Sequence, residues 1–181
     1  MILVLTGVSG VGKTTVAQEL EQNHNYKRSI SYTTREPRSS EIDGIDYNFI
    51  SKANFQTKLK KNFFLEHIEI FNNFYGTAYE SIEEIIKKND DIIMCLTKEG
   101  YLATKKRWPK LTLGIYLLPP EASILKERIK SRNTNDIEER MEAIYSCAHK
   151  EKEFYEKVIT PDSINKVLEK ILDEIWQFKL S

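Results

Sequence analysis

An apolar, β-branched run from Ile2 to Thr6 gives way to GVSGVGKTT, Gly7 to Thr15, and helix-forming residues resume from Thr14 to Leu20. A continuous apolar run of that length reads as a buried parallel strand, so the opening of the chain predicts strand, Gly-rich loop and helix in succession. The loop matches G-x-x-x-x-G-K-[ST] in the context that gives the pattern its meaning. Glycines let successive backbone N–H groups turn inward without a Cβ in the way, and the helix that follows adds the positive end of its dipole. Such a loop cradles phosphates: Lys13 brings a point charge to the β- and γ-phosphates, and the Thr14 hydroxyl suits a Mg²⁺ that bridges them. Gly7, Val8, Ser9, Gly10, Val11, Gly12, Lys13, Thr14 and Thr15 are the candidate contacts to a nucleoside triphosphate, with Thr14 the candidate metal ligand. Taken alone, the loop does not name the reaction.

The remaining chain supports one α/β core. Asp91 to Leu96 and Leu111 to Leu118 read as two further buried strands, with helical stretches near Glu99 to Arg107 and Pro120 to Lys130. Strands alternating with helices predict a parallel sheet covered on both faces, a three-layer architecture. Ile164, Val167, Leu168, Ile171, Leu172, Ile175 and Trp176 recur at helical spacing behind Pro161, Asp162 and Ser163, so a closing helix is expected to pack all seven into the core. Between Ser31 and about Ser81 aromatic residues mix with Thr, Asn and single charges, as in a small inserted β-rich lobe, and SRNTNDIEER, Ser131 to Arg140, reads as a polar flap. At 181 residues there is room for one core with small subdomains.

Composition narrows the function classes. Lysines and arginines number 27 and acidic residues 27, so no broad positive field for nucleic acid or an anionic membrane is expected. No apolar run reaches membrane-spanning length, and MILVLTGVSG lacks the features of a signal peptide, which predicts a cytoplasmic protein. Cys95 and Cys147 form no C-x-x-C pair, and His24, His67 and His149 show no metal-ligand spacing.

SYTTREPRSSEIDGIDYNFIS, Ser31 to Ser51, resembles the GMP-binding signature of guanylate kinases, with Glu41, Gly44, Asp46, Tyr47 and Phe49 in step. Arg35 and Arg38 offer two guanidinium forks suited to a phosphate monoester, Tyr47 a hydroxyl donor, and Glu41 a carboxylate to orient an arginine. FFLEHIEIFNNFYGTAY is similar to the family's second acceptor segment, placing Glu66, Tyr75, Gly76 and Thr77 around the guanine and its phosphate. Guanine presents two adjacent donors, N1–H and the 2-amino group, which one carboxylate can accept together, and adenine does not. Hydroxyls of Thr77 and Ser31 suit the O6 side.

The resemblance covers nearly the whole chain. It implies a P-loop core from 1–30, 85–125 and 145–181, a GMP-binding lobe from 31–84 and a short lid from 126–144. By analogy Arg128 and Arg132 flank ATP, and Arg140 reaches the phosphates from the lid, so Lys13, Arg35, Arg132 and Arg140 are the expected catalytic charges. The implied reaction is MgATP plus GMP to MgADP plus GDP, by a monomer or homodimer. Two features depart from the family pattern. Its Asp-x-Asp pair is replaced by Cys95, Leu96 and Thr97, leaving Thr97 as a neutral candidate at the acceptor site, and the lid is shorter. Two alternatives stand beside this reading: a related kinase acting on another nucleoside monophosphate or a ribose bisphosphate, and a non-catalytic module that binds phosphopeptides.

Overall fold

The computed structural model describes residues 1–8, 10–130, 141, 151–160 and 163–181, with 128–130 described by their backbone. The flap, including Arg132 and Arg140, and also Ser9, Cys147 and His149, lie outside the described residues. Five parallel strands form the main sheet: β1 (Ile2–Gly7), β2 (Tyr26–Arg28), β7 (Asp91–Cys95), β8 (Thr112–Leu117) and β9 (Lys157–Ile159), in the order β2-β7-β1-β8-β9. β1 is central and Ile2, Leu3, Val4 and Leu5 are all fully buried, which is why this stretch carries no alternation of polar and apolar residues.

Side-chain alternation along β1 still divides the core. Leu3 and Leu5 point to one face, where Val16, Ala17 and Leu20 of α1 (Lys13–Asn23) meet Val167, Leu168, Ile171 and Ile175 of the closing helix α6 (Ile164–Leu180). Ile2 and Val4 point to the other, against Ile82 of α3 (Tyr79–Lys87), Tyr101 of α4 (Lys98–Arg107), Met94, Tyr116 and Tyr155. The three layers expected from the strand–helix alternation are therefore present. α6 corrects one expectation: Trp176 is 67% exposed and Ile164 40% exposed. A helix turns about 100° per residue, so the stripe centred on Val167, Leu168, Ile171 and Ile175 leaves the next side chain, Trp176, facing water. Ser163 caps α6 by accepting a hydrogen bond from the Lys166 N–H at 3.4 Å.

The second sheet is small and mixed. β3 (Tyr32–Thr33) and β4 (Asn48–Phe49) run parallel, while β6 (Asn73–Ala78) pairs antiparallel with both β3 and β5 (Phe64–Ile70), giving the order β4-β3-β6-β5. Its core is aromatic: Phe55, fully buried on α2 (Lys52–Lys60), stacks on Phe64 at 4.4 Å and Phe74 at 5.4 Å between ring centroids. α2 was not foreseen, because it buries this one residue and has no apolar period. Ser51, whose hydroxyl accepts from the Asn54 N–H at 3.2 Å, was its one legible start signal. Among the described residues no helix is long and apolar enough to cross a membrane.

Candidate active site

The phosphate loop leaves the carboxyl end of β1, the central strand, and enters α1. Gly7 and Gly12 have φ of +133° and +106°, a region that favours glycine, and a Cβ at Gly7 would lie 2.4 Å from the Leu117 carbonyl oxygen of β8. The first N–H groups of any helix have no intrahelical acceptor, and among the described residues no side chain caps α1 and no acidic residue sits in its first turn, so the positive end of its dipole opens onto the loop. The Lys13 ammonium reaches back over the loop and donates to the carbonyls of Gly7 at 2.6 Å and Val8 at 2.9 Å. Thr14 and Thr15 are exposed. Here local sequence and tertiary position agree: strand end, loop and helix start come together in an arrangement suited to an anion.

Facing outward from the small sheet, Arg35 and Glu41 form a bidentate pair, with guanidinium N–H groups donating to the two carboxylate oxygens at 2.8 and 2.9 Å. Glu41 also accepts from the Arg38 backbone N–H at 2.8 Å and its guanidinium at 3.2 Å, so one carboxylate organises both arginines. Burial works to raise the Glu41 carboxyl, but hydrogen bonds from Arg35 and the Arg38 N–H outweigh it and hold the group below the usual carboxylate range. The Arg35 guanidinium lies 5.5 Å from the centroid of Tyr47 and 5.7 Å from that of Phe49, an aromatic backing that helps to hold the planar fork in place. Tyr47 and Tyr75 pack edge to face at 6.0 Å, and burial pushes the Tyr47 phenol up, keeping its hydroxyl a donor. Gly44, at φ +77°, turns the chain that carries Glu41 back toward β4. The Arg38 side chain is 47% exposed and holds Glu41 by a single 3.2 Å contact, looser than the bidentate pair at Arg35.

Behind these cations lies a chain of three polar side chains. Ser31 and Thr77 hydroxyls are 3.1 Å apart, and the Thr77 hydroxyl donates to a Glu66 carboxylate oxygen at 2.8 Å. Thr77 is fully buried, on the strand register that sets it opposite Glu66. Burial pushes the Glu66 carboxyl up, against the Thr77 hydrogen bond, and the nearby Glu99 carboxylate pushes it further. Gly76, one residue before, lies close under the Phe55 and Phe64 rings, where a Cβ would have no room.

Cys95 ends β7 beside Leu5, near Lys13 and Arg28, and burial pushes its thiol up to about 11. It is a neutral thiol at neutral pH, with no charge for a cation and no hard oxygen for a metal. Thr97 caps α4, its hydroxyl accepting from the Gly100 N–H at 3.3 Å. That acceptor function was not read from the sequence. Arg128 lies on α5 (Ala122–Lys130), beyond β8. Gly100, buried in α4 against Glu66, was also passed over; its legible signal was an isolated glycine inside the helical run KEGYLATKKR. Among the described residues no group of three or more His, Cys, Asp or Glu side chains is disposed to hold a metal.

Comparison with known proteins gives this arrangement a lineage. The protein-family model for guanylate kinase matches residues 1–178. A guanylate kinase of Clostridium tetani is 37% identical over 174 residues, spanning 94% of this chain and 83% of its own, and one of Clostridioides difficile is 40% identical over 152 residues, spanning 83% and 73%. The crystal structure of guanylate kinase from Anaplasma phagocytophilum superposes with a TM-score of 0.80 at 24% identity, covering all of this chain and 87% of that one, which shows the shared fold. With the P-loop, the paired arginines and the Ser31–Thr77–Glu66 chain already in view, the conclusion is direct: the chain belongs to the guanylate kinase family.

Proposed function

We propose that this protein transfers the terminal phosphate of ATP to GMP, giving ADP and GDP, in the cytoplasm. One observation carries the reading: a phosphate loop at the end of the parallel sheet, and a second sheet that holds both a cation pair and an acceptor-only carboxylate. The loop and the first turn of α1, Gly7 to Thr15, bind the donor phosphates. Arg35 and Arg38, preset by Glu41, take the phosphate of the acceptor, with Tyr47 and Tyr75 donating beside them. Glu66 accepts from guanine N1–H and the 2-amino group; Thr77, whose one hydroxyl proton goes to Glu66, orients that carboxylate, and Ser31 lies at the neighbouring edge.

An oxygen of the acceptor phosphate then attacks the terminal phosphorus of ATP in line, and the bond to the ADP oxygen breaks. Little covalent chemistry is asked of the protein, so positioning and charge do most of the catalysis. Lys13 exchanges its loop carbonyls for charged phosphate oxygens, a stronger charge-assisted pairing, and follows the phosphoryl group across. Arg128, Arg132 and Arg140 complete the cationic shell from the lid segment, 126–144, which excludes water when closed.

Mg²⁺ fits as a partner of the nucleotide, since Thr14 is an exposed hydroxyl at the loop mouth and this ion takes few protein ligands and several phosphate and water oxygens. When bound there it neutralises charge on the β- and γ-phosphates. The acceptor lobe, 31–84, discriminates by its buried polar groups: a base that leaves Glu66 unpaired is rejected.

A coupled ADP-release assay over GMP, IMP, AMP and ribose 1,5-bisphosphate tests the assignment. Turnover should be highest with GMP, and Glu66→Gln should lower kcat/KM for GMP selectively. Absence of turnover with every acceptor, or equal losses for GMP and AMP in Glu66→Gln, would overturn it.

A further inference from the structure

Glu66 sits on the small sheet, yet the surface that seats it belongs to the main core. An ideal Cβ at Gly100 would lie 3.1 Å from Glu66 Cγ and 3.2 Å from Cδ, and 3.0 Å from the Leu96 Cβ. The missing side chain at Gly100 is thus the space in which the carboxylate arm lies.

Nothing on the helix side gives way easily. The Gly100 N–H is tied to the Thr97 hydroxyl at 3.3 Å, and the Gly100 carbonyl accepts from the buried Thr104 hydroxyl at 2.7 Å. Leu96 is 7% exposed and its N–H donates to the Leu5 carbonyl of β1 at 3.1 Å. A Cβ also cannot rotate away, being fixed to the backbone. Glu66 is the hinged partner, anchored at its tip by the 2.8 Å hydrogen bond from Thr77. A methyl group at position 100 therefore presses on Glu66, and a shift of a few tenths of an ångström at Cδ stretches the 2.8 Å hydrogen bond from Thr77 and turns the carboxylate from its place.

We infer that Gly100 is a specificity-positioning residue: it holds the Glu66 carboxylate where the acceptor base meets it, and so lets α4 of the core set base selection in the lobe. This rests on the assignment of Glu66 to the base. It makes the lobe's selectivity depend on how the lobe seats on α4, and not on the lobe sheet alone.

GMP against IMP reads the effect, because IMP lacks the 2-amino group and keeps N1–H, so the ratio of their kcat/KM values measures whether one carboxylate serves both donors. Gly100→Ala should reduce the GMP/IMP ratio about tenfold, chiefly through KM for the monophosphate, with KM for ATP unchanged. In a Glu66→Gln background the same substitution should have little further effect on the ratio, since coupled residues are not additive. A loss of the same size in both backgrounds, or an unchanged ratio in well-folded Gly100→Ala, overturns the inference. If Glu66→Gln alone leaves the ratio untouched, the base assignment itself fails, whatever Gly100→Ala does. Alanine is the better helix former, so the fold should hold. Should Gly100→Ala nevertheless fail to fold, Gly100→Ala/Glu66→Ala removes Cγ and Cδ of Glu66 and leaves only the Leu96 Cβ contact at 3.0 Å: recovery of folding supports the inference, and failure of both, which places the clash at Leu96, overturns it.

Discussion

The two sheets of this protein are held together by different physics. In the main sheet, β1 lies between two parallel neighbours with four consecutive residues fully buried, and its cohesion is apolar contact on both faces. In the small sheet β3 and β4 are two residues long, and order comes from aromatic stacking around Phe55 and from the hydrogen bonds that join Arg35, Arg38 and Glu41. The main sheet concentrates stability and exposes function only at its carboxyl edge. The small sheet uses its polar interactions to preset cations, so a change in charge there is expected to alter structure and, on the proposed function, acceptor binding together.

The largest effect should come from Lys13→Ala. Removing a charge used on the transferring phosphate should lower kcat at least ~100-fold. The unfolding midpoint should barely move, since the lysine's carbonyl partners are only half-buried and water can take the place of the ammonium. Steady-state kinetics beside thermal unfolding checks this; a large fall in the midpoint would mean that the loop, too, is held by its charges.

A tenfold effect is expected where the two regions meet. Thr97→Asp keeps an N-cap, because aspartate caps helices at least as well as threonine, and adds a charged acceptor where the site has a neutral one. A charged hydrogen bond exceeds a neutral one by about 1–2 kcal/mol, so kcat/KM for GMP should rise roughly tenfold. Cys95→Asp, alone and combined with Thr97→Asp, completes the series. No gain from any folded variant would show that groups already present supply what the family's aspartates do.

The smallest effect is one of pH. The Glu41 carboxyl is held below its usual range, so the stability it contributes is fully present above the ordinary carboxylate pKa and is lost as pH falls through the lower, folded-state value. At neutral pH Glu41→Gln should lower the unfolding midpoint by about 2–4 °C, and the gap from wild type should close in acid, once both proteins carry a neutral group. A gap that persists unchanged into acid would place Glu41's contribution in packing instead of charge.

Much of this molecule was legible before its fold. The strand, loop and helix at the start of the chain could be read directly, because their pattern is local: glycines, a lysine and a hydroxyl contiguous in sequence mark the passage from β1 to α1. The three-layer core followed from apolar runs and helical spacing, and it erred at Trp176, where the apolar pattern ran one residue past the stripe that meets the sheet. α2 was invisible because one buried phenylalanine makes no pattern.

Glu66 marks the boundary. The sequence supplied a carboxylate in a segment of recognisable type, but its partners are Thr77, 11 residues away, and Gly100, on another layer. Likewise Thr97 looked like a weakened ligand until α4 showed its hydroxyl accepting from a helix N–H. Periodicity and contiguous motifs are properties of neighbouring residues, so the chain alone determines them. Which side chain leaves room for another is a property of surfaces brought together by packing, and only the tertiary structure decides it.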